Sequence, residues 1–298
     1  MTSVTHEQIR ETVRQKYGNT AKQCCGGPAP EGSNACCVKD AKAKAAGDSG
    51  CGCESTPEAI ATTNSNPCCS GGSDSVEQLS QVLGYSSEEL SSLPEGANMG
   101  LGCGNPQAIA SIKSGETVLD LGSGGGIDCF LASKATGDKG KVIGVDMTPE
   151  MITKARKNAQ AIGVKNVEFR LGEIENLPVA DHQIDIIISN CVINLSPEKK
   201  RVYSEAFRVL KPGGRIAVAD VVITAELPPK LKQDLFLITA CMAGGTSLQE
   251  IESYLIDIGF IDIKVSPKET SREFIRDWLP NSKIEDYIVS ATIEATKP

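Results

Sequence analysis

Val118-Leu119-Asp120-Leu121-Gly122-Ser123-Gly124-Gly125-Gly126 decides how this chain folds. Its first four residues read as a buried β-strand, and the rest as a glycine turn that enters a helix. Gly122, Gly124 and Gly126 lack the Cβ atoms that would keep a ligand off the backbone. A strand, a glycine turn and a helix N-terminus together make a nucleotide-sized cradle at the edge of a parallel sheet. Tight turns of no functional importance use the same glycines, so context has to raise this one. It does: the next apolar run, Lys141-Val142-Ile143-Gly144-Val145-Asp146, ends in an acid twenty residues after Gly126. There a second strand can aim a carboxylate at a ribose diol.

Working outward, strand-like runs fall at 117–121, 141–146, 167–171, 184–190 and 215–223, with helical patterns between them. Thr148-Pro149-Glu150 starts one helix, with Thr148 as cap and Pro149 in the first turn, and Ser196-Pro197-Glu198 repeats the device before a helix to about Arg208. Lys211-Pro212-Gly213-Gly214 makes a turn into the fifth strand. Two late apolar runs, 260–266 and 287–296, can pair antiparallel at the sheet edge. The pattern predicts an α/β fold with a doubly wound, mostly parallel, seven-stranded sheet and right-handed crossovers.

Composition divides the 298 residues into three regions. Residues 4–17 suggest a short helix with Val4, Ile9, Val13 and Tyr17 near one face. Residues 18–75 are rich in Gly, Ser, Asn, Ala and Pro and hold eight of the twelve cysteines, at 24, 25, 36, 37, 51, 53, 68 and 69. That stretch has no sustained periodicity and reads as mostly flexible when nothing is bound. The expected division is an N-terminal helix and Cys-rich arm over 1–75, a ligand-binding core over 76–223, and substrate-side helices with the edge strand pair over 224–298. A net charge of −8 argues against nucleic acid or an anionic membrane as the main partner. Met1 to Tyr17 lacks the apolar core of a signal peptide, and no run approaches the ~20 apolar residues of a bilayer span. A cytoplasmic protein is expected, in which twelve cysteines serve metal, metalloid or redox chemistry rather than disulfides.

Dinucleotide oxidoreductases and S-adenosylmethionine methyltransferases both place a glycine turn after their first strand. Here Asp120 precedes the turn. A carboxylate repels a pyrophosphate and tolerates the cationic sulfonium and ammonium of S-adenosylmethionine, which favours the methyl donor. In that reading Gly122, Ser123, Gly124 and Gly126 line the methionine portion, and Asp146 holds the ribose hydroxyls. Met147 lies against the adenine, Glu173 and Ile174 of Gly172-Glu173-Ile174 supply its other face and edge, and Asn190 points at the transferred methyl. Met147 and Ile174 are equally readable as core packing, and Asp128 as a helix cap.

Three cysteines stand near that site: Cys103 in a glycine-bounded loop before the first strand, Cys191 after the fourth strand, and Cys241 at the end of a helix after the fifth. Any one of them alone reads as a small buried hydrophobe. The surrounding blocks carry more. Pro94-Glu95-Gly96-Ala97-Asn98, Gly100 through Pro106, the glycine loop, Gly144 through Met151, Leu171 through Glu175, Ser189-Asn190-Cys191-Val192-Ile193-Asn194-Leu195 and Phe207 through Gly214 together resemble the arsenite methyltransferases, S-adenosylmethionine-dependent enzymes of the class I fold. The resemblance covers most of residues 85–245. It implies that Cys103, Cys191 and Cys241 jointly bind trivalent arsenic.

Soft trivalent arsenic prefers thiolate ligands. Three sulfurs leave it a lone pair that can attack a methyl carbon with no general base, and the sequence offers no histidine constellation, only His6 and His182. Each transfer formally oxidises arsenic, so repeated rounds call for a thiol reductant of thioredoxin or glutathione type. Arsenite and methylated arsenicals are the expected partners, and nothing demands more than a monomer. The chain departs from the family in its arm: relatives commonly carry one further cysteine upstream, whereas eight candidates exist here. Cys68 and Cys69 are candidate accessory ligands. Metalloid capture, redox relay and inert low-complexity sequence all remain open for the arm. Leu101 stands where some relatives have an aromatic residue, and Cys129 reads as core packing. The competing functions are methylation of another small acceptor and metalloid sequestration without catalysis.

Overall fold

β1 (Thr117–Leu121), β2 (Lys141–Asp146), β3 (Val167–Leu171), β4 (Ile184–Asn190) and β5 (Leu210–Ile223) form where the apolar runs predict them. The structure, a computed structural model, describes residues 5–22, 73–228, 231, 234–279 and 282–298. Val4, the eight cysteines of the arm and residues 23–72 of the stretch read as flexible lie outside these residues; its two ends, 18–22 and 73–75, are helical, the first continuing the N-terminal helix beyond Tyr17.

Neighbours run in the order β3-β2-β1-β4-β5-β8-β7, with β1 to β5 mutually parallel. The late pair forms β7 (Ile261–Lys268) and β8 (Ile288–Thr296), antiparallel as expected. The pair forms the sheet edge, as expected, with β8 inserted between β5 and β7 and β7 outermost. A two-residue strand, β6 (Thr246–Ser247), adds beside β5. Successive residues of β1 serve different cores. Val118 joins Ile186, Ile188, Phe130 and Phe169 on one face, while Leu119 joins Ile143, Ile187 and Val218 on the other. A strand covered on both faces needs the unbroken apolar run the sequence supplies.

The helices are α1 (His6–Lys22), α2 (Ser73–Val82), α3 (Ser87–Ser91), α4 (Gln107–Ala110), α5 (Ile127–Thr136), α6 (Pro149–Ile162), α7 (Lys199–Val209), α8 (Leu235–Thr239), α9 (Leu248–Ile258) and α10 (Arg272–Ile275). Pro149 opens α6, but Thr148 makes no side-chain cap bond. Ser196 accepts the Glu198 N–H at 3.0 Å, one step before α7 begins. The Lys211–Gly214 turn is absorbed into β5 as a bulge: Ile184 pairs with Leu210, but Ile186 already pairs with Arg215. Gly213 takes the left-handed backbone that the bulge requires (φ +75°).

β2 and β4 flank β1, so the chain reverses its direction of winding between β1 and β4. Ligands of open α/β sheets bind at such a point, outside the carboxyl ends of the strands. The glycine turn leaves β1 there, and Asn190-Cys191 leaves β4 beside it. α1 packs across this end against α6 and α8, burying Val13 and adding Ile9 and Tyr17 to the core that contains Cys103, Cys191 and Cys241.

Candidate active site

The glycine turn, the ends of β2 and β4, the loop before α4 and one face of α1 enclose a cavity. Absent atoms shape its floor. Gly122 has φ +72°, and a Cβ there would lie 2.4 Å from Val192 Cγ2. Gly124 has φ +51° and donates its N–H to Asp146 Oδ2 at 2.9 Å. Asp146 Oδ1 accepts the Thr148 N–H at 2.8 Å, so this carboxylate ties the turn to the start of α6.

Carboxylates dominate the wall. Asp120, Asp128, Asp146 and Glu175 line the cavity, where Arg10 is the single basic side chain among the lining residues. Arg10 is spoken for by Glu198 at 2.5 Å and Glu175 at 3.6 Å. Burial, then the neighbouring Asp128, push Asp120 well above the usual carboxylate range. Burial carries Asp128 to about 6 despite hydrogen bonds from Tyr85, Asn190 and Gln107. Asp146 is raised by burial against its two backbone donors. Such a wall lacks positive charge, and a cationic ligand would supply it. Ser123 Oγ, buried in the same wall, has no hydrogen-bond partner among the described residues. A cradle open at Gly122 and Gly124, an unpaired hydroxyl and surplus carboxylates fit the sulfonium and ammonium of S-adenosylmethionine.

Of the three cysteines Cys191 lines this cavity, and Cys103 and Cys241 pack behind it. Cys103, Cys191 and Cys241 are buried (0%, 7% and 4% exposed) and belong to one packed cluster. Cys241 Sγ–H donates to the Cys191 carbonyl at 2.8 Å. The Cys103 and Cys191 thiols and an Asp220 carboxylate oxygen all lie within 4.8 Å of one another. Two of the cysteines hold a left-handed backbone, Cys191 at φ +58° and Cys241 at φ +61°. Non-glycine residues adopt that conformation at a cost of about 1–2 kcal/mol, and it persists where the surroundings over-determine it. Here the Cys191 N–H is fixed to the Ala219 carbonyl at 2.8 Å. Burial pushes the Cys103 thiol up to about 11, partly offset by its bond with Cys191. Hydrogen bonding with Cys103 is the main cause raising Cys191, and bonding with Cys191 the main cause raising Cys241. All three are thiols, not thiolates, at neutral pH.

Of the residues expected around the cofactor, Asp120, Gly122, Ser123, Gly124, Asp146, Met147, Ile174 and Asn190 line the cavity. Gly126 and Glu173 do not. A Cβ at Gly126 would meet the rings of Phe130 at 2.8 Å and Phe169 at 3.0 Å, so packing and its φ of +97° account for that glycine. Glu173 turns outward, its side chain 40% exposed, to pair with Arg14 of α1 at 3.4 Å. Asp128 faces the cavity, accepting the Tyr85 hydroxyl at 2.9 Å. Cys129 is fully buried in the core, as expected, but its thiol also donates to Asp120 Oδ2 at 3.2 Å. Cys68 and Cys69 lie outside the described residues.

Sequence reasoning missed Asp220, Tyr17 and Tyr85. Asp220 accepts Asn194 Nδ2 and the Val221 N–H, each at 2.8 Å, which pins the segment after Cys191 to β5. Its one sequence signal is an acid inside the apolar run 215–223. Tyr17 of α1 lines the cavity and donates its hydroxyl to the Thr239 carbonyl at 3.5 Å, and burial raises that hydroxyl well above the usual value.

Comparison with known proteins places this fold among methyltransferases. The methyltransferase-domain family model matches residues 112–265. The arsenite methyltransferase of Halobacterium salinarum is 46% identical over 295 residues, covering 98% of this chain and 67% of that protein. That of Aquipseudomonas alcaligenes is 41% identical over 57% of this chain and 50% of its own length. This chain therefore spans two thirds of one curated relative and half of the other. Among solved structures, an arsenic(III) S-adenosylmethionine methyltransferase from Chlamydomonas reinhardtii superposes with a TM-score of 0.56 at 33% identity, over 74% of this chain and 73% of that one.

Proposed function

The chain belongs to the arsenite methyltransferases, S-adenosylmethionine-dependent enzymes, and from that premise we propose that it methylates trivalent arsenic held by Cys103, Cys191 and Cys241. The observation that carries the assignment of these residues is their burial in one cluster beside a cavity rich in carboxylates.

Protonated thiols suit the entry of arsenite. Each S–H proton leaves with an arsenic hydroxyl as water, so three As–S bonds replace three As–O bonds without a base. S-adenosylmethionine, when bound, supplies a methyl group on a cationic sulfonium, and the arsenic lone pair takes it as the carbon–sulfur bond breaks. The protein's part is placement. Asp120, Asp128 and Asp146 offset the ligand's positive charge, Ser123 Oγ gains a partner, and the glycine turn lets the backbone approach. Val13 and Tyr17 of α1 line the cavity and add apolar surface against water. Holding donor and acceptor in line is worth several powers of ten in rate.

Methyl transfer takes arsenic formally from the trivalent to the pentavalent state. A further round therefore needs two electrons from a thiol reductant of thioredoxin or glutathione type. No described helix is long and apolar enough to cross a membrane, and a reducing cytoplasm is the setting this chemistry suits. The arm's cysteines, with Cys68 and Cys69 among them, are candidates for delivering arsenic or for relaying those electrons.

The test is transfer of labelled methyl from S-adenosylmethionine to arsenite with excess thiol, followed by arsenic speciation. Labelled methylarsenicals from the native protein and none from Cys191→Ser support the reading. Tight arsenite binding without labelled product replaces it with sequestration. Transfer to a different small acceptor, with arsenic untouched, replaces the substrate.

A further inference from the structure

We propose that Tyr85 is a positioning residue through which occupancy of the cofactor cavity sets the placement of Cys103; the proposal rests on the functional reading above. Tyr85 is buried, lines the cavity and donates its hydroxyl to Asp128 Oδ1 at 2.9 Å. Its oxygen in turn accepts Asn190 Nδ2–H at 2.9 Å. The same Nδ2 donates to the Gly104 carbonyl at 2.8 Å, and Asn190 Oδ1 accepts the Cys103 N–H at 3.0 Å. One amide therefore grips the loop on both sides of the Cys103 thiol, and Tyr85 connects that amide to a carboxylate in the cavity wall.

The path has little slack. A Cβ at Gly102 would fall 2.7 Å from Asn190 Nδ2, and the Cys103 carbonyl is held by Ser290 Oγ at 2.7 Å. A hydroxyl has a single proton. While Tyr85 gives it to Asp128, its oxygen must accept from Asn190. That favours the amide orientation presenting Oδ1, and not NH2, to the Cys103 N–H. A cationic ligand drawn to Asp128 perturbs the first bond of this chain, and buried hydrogen bonds in series polarise one another. Any such coupling is reciprocal: if the cofactor tightens arsenite, arsenite tightens the cofactor by the same factor.

The experiment is calorimetric titration of arsenite into the full chain, with and without saturating sinefungin, a non-transferring analogue in which an amine keeps the positive charge of the sulfonium, for the native protein, Tyr85→Phe and Asp128→Asn. The readout is the ratio of the two arsenite dissociation constants, which a uniform loss of affinity at either site leaves unmoved. We expect a ratio of about 10 in the native protein, within the usual range of coupling, falling toward one in both variants. A native ratio of one overturns the inference whatever the variants do. A native ratio that survives unchanged in either folded variant, as judged by thermal melting, also overturns it. Both outcomes leave the methyltransferase reading standing, whereas failure of the native protein to bind either ligand overturns the two together.

Discussion

The glycine turn and the cysteine cluster meet where Cys191 lines the cavity, and the two are built in opposite ways. The first comes from nine consecutive residues, Val118–Gly126, joined by Asp146, and missing Cβ atoms give it its shape. The second draws Cys241 from 50 residues beyond Cys191, and Cys103 from a loop 87 residues before Asn190. Its backbone is strained at two of its three cysteines. The proposed cofactor cradle thus sits on relaxed local geometry, and the proposed arsenic ligands sit on geometry that the rest of the fold must enforce.

Breaking one thiol separates the two most sharply. Cys191→Ser is expected to lower arsenic methylation by about 100-fold or more, since oxygen is a poor ligand for a soft centre. S-adenosylhomocysteine affinity, read by calorimetry, should stay within about twofold. Equal loss in both would mean that the two are not separate. Gly122→Ala attacks the glycine turn. Its methyl would meet Val192 at 2.4 Å on a left-handed backbone, so thermal melting should show about 2–4 kcal/mol of lost stability. Cofactor affinity should fall with it, by about tenfold or more.

A pH series sharpens the electrostatic side of the contrast. Asp128 titrates at about 6 in the folded protein. An ionised Asp128 attracts a cationic ligand, so affinity for S-adenosylmethionine should rise between pH 5 and 7, by up to about tenfold, and the rise should flatten in Asp128→Asn. The corresponding stability has the opposite sign. Asp128 is raised above its unfolded value, so without ligand it stabilises the fold at low pH and loses that contribution between about pH 4 and 6. The smallest effect concerns strain. Cys241 sits at φ +61°, so Cys241→Gly should melt a few degrees above Cys241→Ser, about 1 kcal/mol.

What could be read from the sequence follows the same division. β1 to β5, the glycine turn and Asp146 were legible because strand period, glycine placement and spacing are local signals. The cysteines became legible only through resemblance, because no periodicity brings residues 103, 191 and 241 together. Gly126 belonged to the glycine pattern yet answers to Phe130 and Phe169, a packing demand from two other elements. Glu173 is drawn outward by Arg14 of α1, a helix more than 150 residues earlier in the chain. The insertion of β8 beside β5 was hidden for a comparable reason: an antiparallel hairpin-like pair is suggested by two apolar runs, but their order across the sheet is a global choice. Asp220 and Tyr85 act through neighbours that only the folded chain supplies.

The hydroxyl of Ser290 on the Cys103 carbonyl closes a span of 187 residues. Contacts so distant along the chain carry a large loop-closure cost and form slowly. The glycine turn and its strand neighbours can assemble from a much shorter segment. The Cys103 loop can therefore gain this anchor only once β8 has docked, whereas contacts local to the glycine turn need no such distant partner.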